Sequence, residues 1–156
     1  MNPHRRTALA AALALSACAG HLIPGTEIQD TSDNRAVFEV IREYGAAMQR
    51  KDAPAVLALV SNDYFDDAGT PDPADDLDRA KLEKALPADL ARVPAMRLEL
   101  TVKSLDVQKD EATADVFYDA SYDVQTPAAV VPKRQSDVHR MRFKREGGLW
   151  KIVAGL

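Results

Sequence analysis

From Met96 onward, apolar and polar side chains alternate with a period of two. Met96, Leu98, Leu100 and Val102 interleave with Arg97, Glu99, Thr101 and Lys103. Ala114, Val116, Tyr118, Ala120, Tyr122 and Val124 interleave with Thr113, Asp115, Phe117, Asp119, Ser121 and Asp123. A period of two puts one set of side chains on one face of a strand, whereas a helix would scatter them around its axis. The alternation slips at Ser104-Leu105, which predicts a bulge. Lys109-Asp110 turns the chain between these strands. A third strand is expected over 137–145, with His139, Met141 and Phe143 on one face and Arg140, Arg142 and Lys144 on the other. Gly147-Gly148 then leads into a last strand, Leu149 to Ala154. Such a run of strands makes an antiparallel sheet with one apolar face, and that face needs a cover.

The cover is predicted upstream. Ser32-Asp33 offers an N-cap, and Val37, Ile41, Tyr44 and Met48 form one stripe of a helix over 34–51. Asp52 caps a second, short helix with Pro54 in its first turn, where a missing N–H costs nothing. Val56, Leu57 and Val60 supply its apolar side. A third helix is expected over 77–86 behind Asp75 or Asp76, broken by Pro87, with a short turn over 88–92. The fold class is therefore α+β: three N-terminal helices packed on a curved antiparallel sheet. Residues 126–135 read as a mobile hairpin loop, or as one whose small apolar tip forms a pocket lip or a protein contact.

The first residues carry a different message. His4, Arg5 and Arg6 precede an apolar run from Ala8 to Leu15, and then comes Leu15-Ser16-Ala17-Cys18. This is the pattern of a signal peptide, far shorter than the roughly 20 residues a membrane span needs. The segment resembles the lipobox of bacterial lipoproteins. The resemblance implies cleavage before Cys18, diacylglycerol on its sulfur and an acylated amino group. Ala19 stands where an Asp would resemble the inner-membrane retention signal, so an outer-membrane anchor facing the periplasm is expected. The domains are then 1–17 signal peptide, 18–32 flexible tether and 33–156 folded domain.

Cleavage would remove 17 of the 156 residues and leave 139, and the loss of Arg5 and Arg6 would take the formal charge from −4 to −6. An acidic domain repels nucleic acid and anionic lipid alike, so nucleic acid is not an expected partner. With its single cysteine acylated the domain would have no thiol and no disulfide. Core packing must stabilise it.

The helices-then-meander order ends in Phe143-Lys144-Arg145-Glu146-Gly147-Gly148-Leu149-Trp150-Lys151-Ile152. This hairpin resembles the one that closes many members of the NTF2-like superfamily, the relatives of SnoaL and ketosteroid isomerase. The resemblance covers about residues 33–156. It implies a cone-shaped pocket between sheet and helix, in a superfamily of isomerases, dehydratases, hydrolases, binders and domains without chemistry.

Several residues are candidates for the pocket. His139 alternates with Met141 and Phe143, so it belongs to the core or pocket face; a neutral imidazole there can serve as acid or base, or it is a partly buried histidine bonded to a neighbour. Tyr44, Tyr118 and Tyr122 lie on apolar stripes and fit either a ligand-binding lining with available hydroxyls or plain core packing. The superfamily's dehydratases use two pocket histidines, and its isomerases an Asp base with a Tyr and a protonated acid. Here His139 is the one histidine of the expected domain, and Asp115, Asp119 and Asp123 point to the opposite sheet face, toward Arg140, Arg142 and Lys144. The Asp-rich stretch 63–78 lacks a calcium-loop pattern, and its acids read as turn and helix caps. No cofactor and no metal site is expected. The expected function is a lipid-anchored envelope domain that binds a small apolar ligand or an envelope protein without catalysis. The alternative is a pocket enzyme of isomerase, dehydratase or hydrolase type using His139 with a pocket tyrosine.

Overall fold

The computed structural model describes residues 21–156. Three helices, α1 (Ser32–Gln49), α2 (Ala53–Leu59) and α3 (Arg79–Ala91), accompany a two-stranded ribbon of β1 (Phe65–Asp66) and β2 (Leu77–Asp78). A four-stranded antiparallel sheet follows in chain order: β3 (Met96–Gln108), β4 (Glu111–Gln125), β5 (Val130–Glu146) and β6 (Leu149–Ala154). The α+β architecture expected from the alternation is the one observed. The segment read as a signal peptide, and Cys18 with it, lie outside the described residues.

The local chemistry explains most boundaries. Thr31, in extended conformation, caps α1 by accepting the Asn34 N–H at 3.1 Å, so the helix starts two residues earlier than the Ser32-Asp33 cap predicts. Asp52 caps α2 as expected, accepting the Ala55 N–H at 3.0 Å. The bulge in β3 sits at Lys103, where the register with β4 shifts between Val102 and Ser104. Gly147 and Gly148 both take positive φ in the turn between β5 and β6.

Four expectations need correction. The third helix is capped by Asp78, not Asp75 or Asp76, because Leu77-Asp78 is drawn into the ribbon by pairing with Phe65-Asp66. Pro87 does not break that helix. Pro87 and Glu83 are both exposed while Leu82 and Leu90 are buried, so the carbonyl that Pro87 cannot bond lies on the wet face, where water satisfies it. The loop expected over 126–135 shrinks to a turn at Thr126–Ala129, since β5 pairs with β4 without a break from Val130 to Lys144. Finally, residues 21–31 are not a tether. They form a tight turn, with Ile23 N–H bonded to the Ile28 carbonyl at 2.9 Å, and both isoleucines join the core.

The core lies between α1 and the sheet. Val37, Ile41, Val116, Met141, Phe143 and Ile152 are all almost completely buried. Helix α1 packs tightly on β3 at Gly45, where a Cβ would stand 2.9 Å from Leu100 Cδ1. The Arg145 guanidinium lies 4.5 Å from the Trp150 ring and bonds Asp33 of α1 at 2.7 Å and Asp110 of the β3–β4 turn at 3.2 Å, so one cation ties three parts of the fold together.

Candidate functional site

The apolar face of the sheet is longer than the helix that covers it. Under the C-terminal half of α1, the inward side chains of β3, β4 and β5 border a cavity of about 250 Å³ instead of packing solid. Register fixes its walls. Leu100 lies beside Tyr118, Leu98 beside Ala120 and Met96 beside Tyr122, and paired residues share a face of the sheet. From α1 come Tyr44 and Met48, one turn apart. From β5 come Gln135, His139 and Met141, and Gly155 and Leu156 close the side next to His139.

The four residues singled out from the alternation, Tyr44, Tyr118, Tyr122 and His139, therefore line one cavity. Tyr118 and His139 are adjacent, with ring centroids 4.6 Å apart and planes inclined by 60°. His139 differs from its expected setting in being exposed. Its part of β5 runs past the end of β6, whose pairing stops at Arg142, so nothing covers the outer edge of the strand there. Among the described residues no hydrogen bond joins its imidazole to a carboxylate. Burial pushes the Tyr44 phenol up to about 12, and burial, then the nearby Asp137 charge, also raises Tyr118.

Sequence reasoning missed the support beside this cavity. Tyr64 is 2% exposed, and its hydroxyl donates to Asp66 Oδ2 at 3.4 Å. The same oxygen accepts the Gly155 N–H at 2.6 Å, and Oδ1 accepts the Ala68 N–H at 3.0 Å. Asp66 is thus a staple between β1 and the end of β6, its oxygens engaged. Gly155 has a φ of +90°, and a Cβ there would run into the Arg140 carbonyl, so only glycine fits. Asp66 stands among the acids of an Asp-rich stretch and gave no signal of this, because its partner Gly155 is 89 residues away.

The opposite sheet face carries the ion pairs, one of them as expected and one with a different partner. Asp115 bonds Arg140 at 2.8 Å, but Asp119 bonds Arg134 at 2.9 Å. Arg142 lies opposite Thr113 and Lys144 opposite Glu111, past the acids they were expected to meet. The Arg140 and Arg134 guanidiniums hold these two carboxyls below the usual range. The acids of the 66–78 segment cap its turns: Asp67 accepts the Gly69 N–H, Asp72 the Ala74 N–H and Asp78 the Lys81 N–H.

A cone of antiparallel sheet closed by a long helix over an apolar cavity is the NTF2-like fold, and solved structures agree. A protein from Streptomyces avermitilis named as a dehydratase of the NTF2-like family superposes with a TM-score of 0.62 at 18% identity, covering 79% of this chain and 93% of that one. A protein from Novosphingobium aromaticivorans named as a scytalone dehydratase gives 0.68 at 14% identity, covering 79% and 80%. A ketosteroid isomerase-like protein from Erwinia carotovora atroseptica gives 0.64 at 16% identity, covering 80% and 94%. No family model matches the sequence, and no curated protein matches it. At these identities the likeness is one of fold.

Proposed function

We propose that this protein is a binding domain that takes a small, largely apolar ligand into the cavity under α1, on a chain anchored to a membrane through acylated Cys18. The observation that carries the binding reading is the lining: leucines, methionines, Val116 and Ala120 surround the space, with a few hydroxyl, amide and imidazole groups among them. That is the usual make-up of a small-molecule site, and the volume lies just below the range of about 300–1,000 Å³ typical of such sites. Support for the anchor is confined to the sequence, in Leu15-Ser16-Ala17-Cys18. Catalysis finds less support. Asp66 is engaged as a staple, and the acids of β4 face away from the cavity.

The contact of Tyr118 with His139 favours the second reading, a pocket enzyme. An imidazole against a phenol at a cavity wall is a workable acid–base pair, but among the described residues no carboxylate bonds the imidazole to fix its tautomer, although Asp137 shares the sheet face of Tyr118. Native mass spectrometry of the full chain purified from its host tests the first reading. A co-purifying small molecule, lost on denaturation, is the expected result. An empty protein that also fails to bind any apolar probe would remove the reading.

A further inference from the structure

Register divides the cavity wall into rows. Met96 stands beside Tyr122, Leu98 beside Ala120 and Leu100 beside Tyr118, and Gln135 of β5 stands on the other side of Ala120. Ala120 is thus a one-carbon side chain between two tyrosines, whose positions on the strand are about 14 Å apart. Tyr44 and Met48 of α1 supply the facing wall. Leu98, Val116, Ala120 and Met141 are buried, whereas Tyr44, Met48, Met96, Leu100, Tyr118 and Tyr122 each keep part of their surface open. The open space is therefore gathered over the Leu98–Ala120 row and does not continue as a trough over Val116 and Met141. A cavity of about 150 Å³ takes benzene, so about 250 Å³ takes about ten non-hydrogen atoms. Gln135 and His139 are both exposed, so the wall is open at two places. A larger molecule can protrude there, but the protruding part stays in water.

Charge narrows the ligand further. Among the described residues no Asp, Glu, Lys or Arg lines the cavity. Two charged side chains share its sheet face, Lys133 beside Tyr122 and Asp137 beside Tyr118. Both are exposed, and they are opposite in sign. The Asp137 carboxylate accepts the Val138 N–H at 2.7 Å, which turns it to the bare edge of β5. Asp66, Asp75 and Arg140 border the neighbouring cleft and not the cavity. A formal charge carried into the space would lose its water without gaining a partner. Resting on the reading of this cavity as a ligand site, we infer that the buried part of its ligand is a compact, uncharged group of about ten non-hydrogen atoms, the size of a substituted six-membered ring, seated over Ala120 between Tyr118 and Tyr122.

The methionines supply the test. Met48, Met96 and Met141 all line the cavity, so the full chain labelled on its methionine methyl groups reports occupancy by NMR. Cyclohexanol, 4-propylcyclohexanol and 4-heptylcyclohexanol are titrated as a size series. Affinity is expected to rise about fourfold per carbon from the first to the second, and then by less than about twofold in all to the third, whose extra carbons lie outside. The Met48 and Met96 signals move, and the Met141 signal stays. Two charged probes are set against uncharged ones of the same shape: 4-propylcyclohexylammonium against the alcohol, and 4-propylcyclohexanecarboxylate against its carboxamide. Each charged member is expected to bind at least about tenfold more weakly. Ala120→Leu, its fold checked by its unfolding midpoint, is expected to weaken 4-propylcyclohexanol at least about tenfold and cyclohexanol less than about threefold, since a bare ring still fits. A gain of about fourfold per carbon continuing through the heptyl tail, with the Met141 signal moving, overturns the compact shape and leaves an apolar-ligand site intact. Charged probes that bind as tightly as their uncharged counterparts overturn the exclusion of charge. An equal effect of Ala120→Leu on both alcohols overturns the placement over Ala120. No response to any probe overturns both this inference and the binding reading beneath it.

Discussion

Tyr44 sits at the point where helix, sheet and cavity meet, and its environment has a measurable signature. Among the described residues no protein group hydrogen-bonds its hydroxyl, and burial pushes its ionisation from 10.0 to about 12. The neutral phenol is thus favoured in the folded state. Between pH 10 and about 12 the unfolded chain loses a proton that the folded chain keeps, so stability is intact below pH 10 and falls as pH rises through that window. A tyrosinate absorbance titration of native protein is expected to show phenol ionising near pH 12, and Tyr44→Phe to remove one such late group. The variant's unfolding midpoint is expected to decline less steeply over the same window. An unchanged titration curve would place the Tyr44 hydroxyl in water instead. The residues around the cavity were legible in the sequence because alternation assigns faces: Tyr118, Tyr122 and His139 share the inward face of their strands. The exposure of His139 was not legible, because it depends on where β6 stops pairing with β5, at Ala154 opposite Arg142.

At the scale of elements, the strands follow from period two, and even the bulge at Lys103 left its mark as a slip in the alternation. Elements fixed by distant partners left no such mark. The start of α3 depends on Leu77-Asp78 pairing with β1, and the outer half of β5 is held only by β4, so its polar run Lys133-Arg134-Gln135 read as loop. That open edge is guarded. The two-residue turn pairs Glu146 with Leu149, so the even-numbered residues of β5 direct their backbone groups away from β4. Pro132 therefore has no N–H on the open side, and the Val138 N–H is taken by Asp137 at 2.7 Å. Both features discourage strand pairing with a stranger. Helix α3 gives the sharper prediction. An interior proline costs about 3 kcal/mol against alanine, and hydration of the exposed Glu83 carbonyl offsets part of that. Pro87→Ala is expected to stabilise the fold by about 1–2 kcal/mol, seen as a higher denaturant midpoint with an unchanged slope. A lower midpoint would mean that Pro87 sets the geometry of the following turn instead of straining the helix.

For the whole molecule, the packing of residues 21–31 changes what an anchor at Cys18 would do. A long tether would let the domain roam, but Ile23 is already part of the core. Only five steps of chain separate Cys18 from Ile23, at most about 18 Å when fully extended. An acylated Cys18 therefore implies a domain held close to the lipid headgroups, within reach of molecules leaving the bilayer. Charge would oppose that placement, since a body of formal charge −6 is repelled by anionic headgroups. The acyl chains must supply the attraction, and one chain alone binds only marginally while two or three hold durably. Cys18→Ser separates these terms. The native chain is expected in the membrane fraction even after a high-salt wash, because salt screens charge but not acyl burial. The variant, with nothing left to offset the repulsion, is expected in the soluble fraction, and intact-mass measurement of the native protein is expected to show cleavage before Cys18 plus the mass of diacylglycerol and a further acyl group. A Cys18→Ser protein that stays with the membranes would show that another part of the chain, or a membrane partner, holds it there.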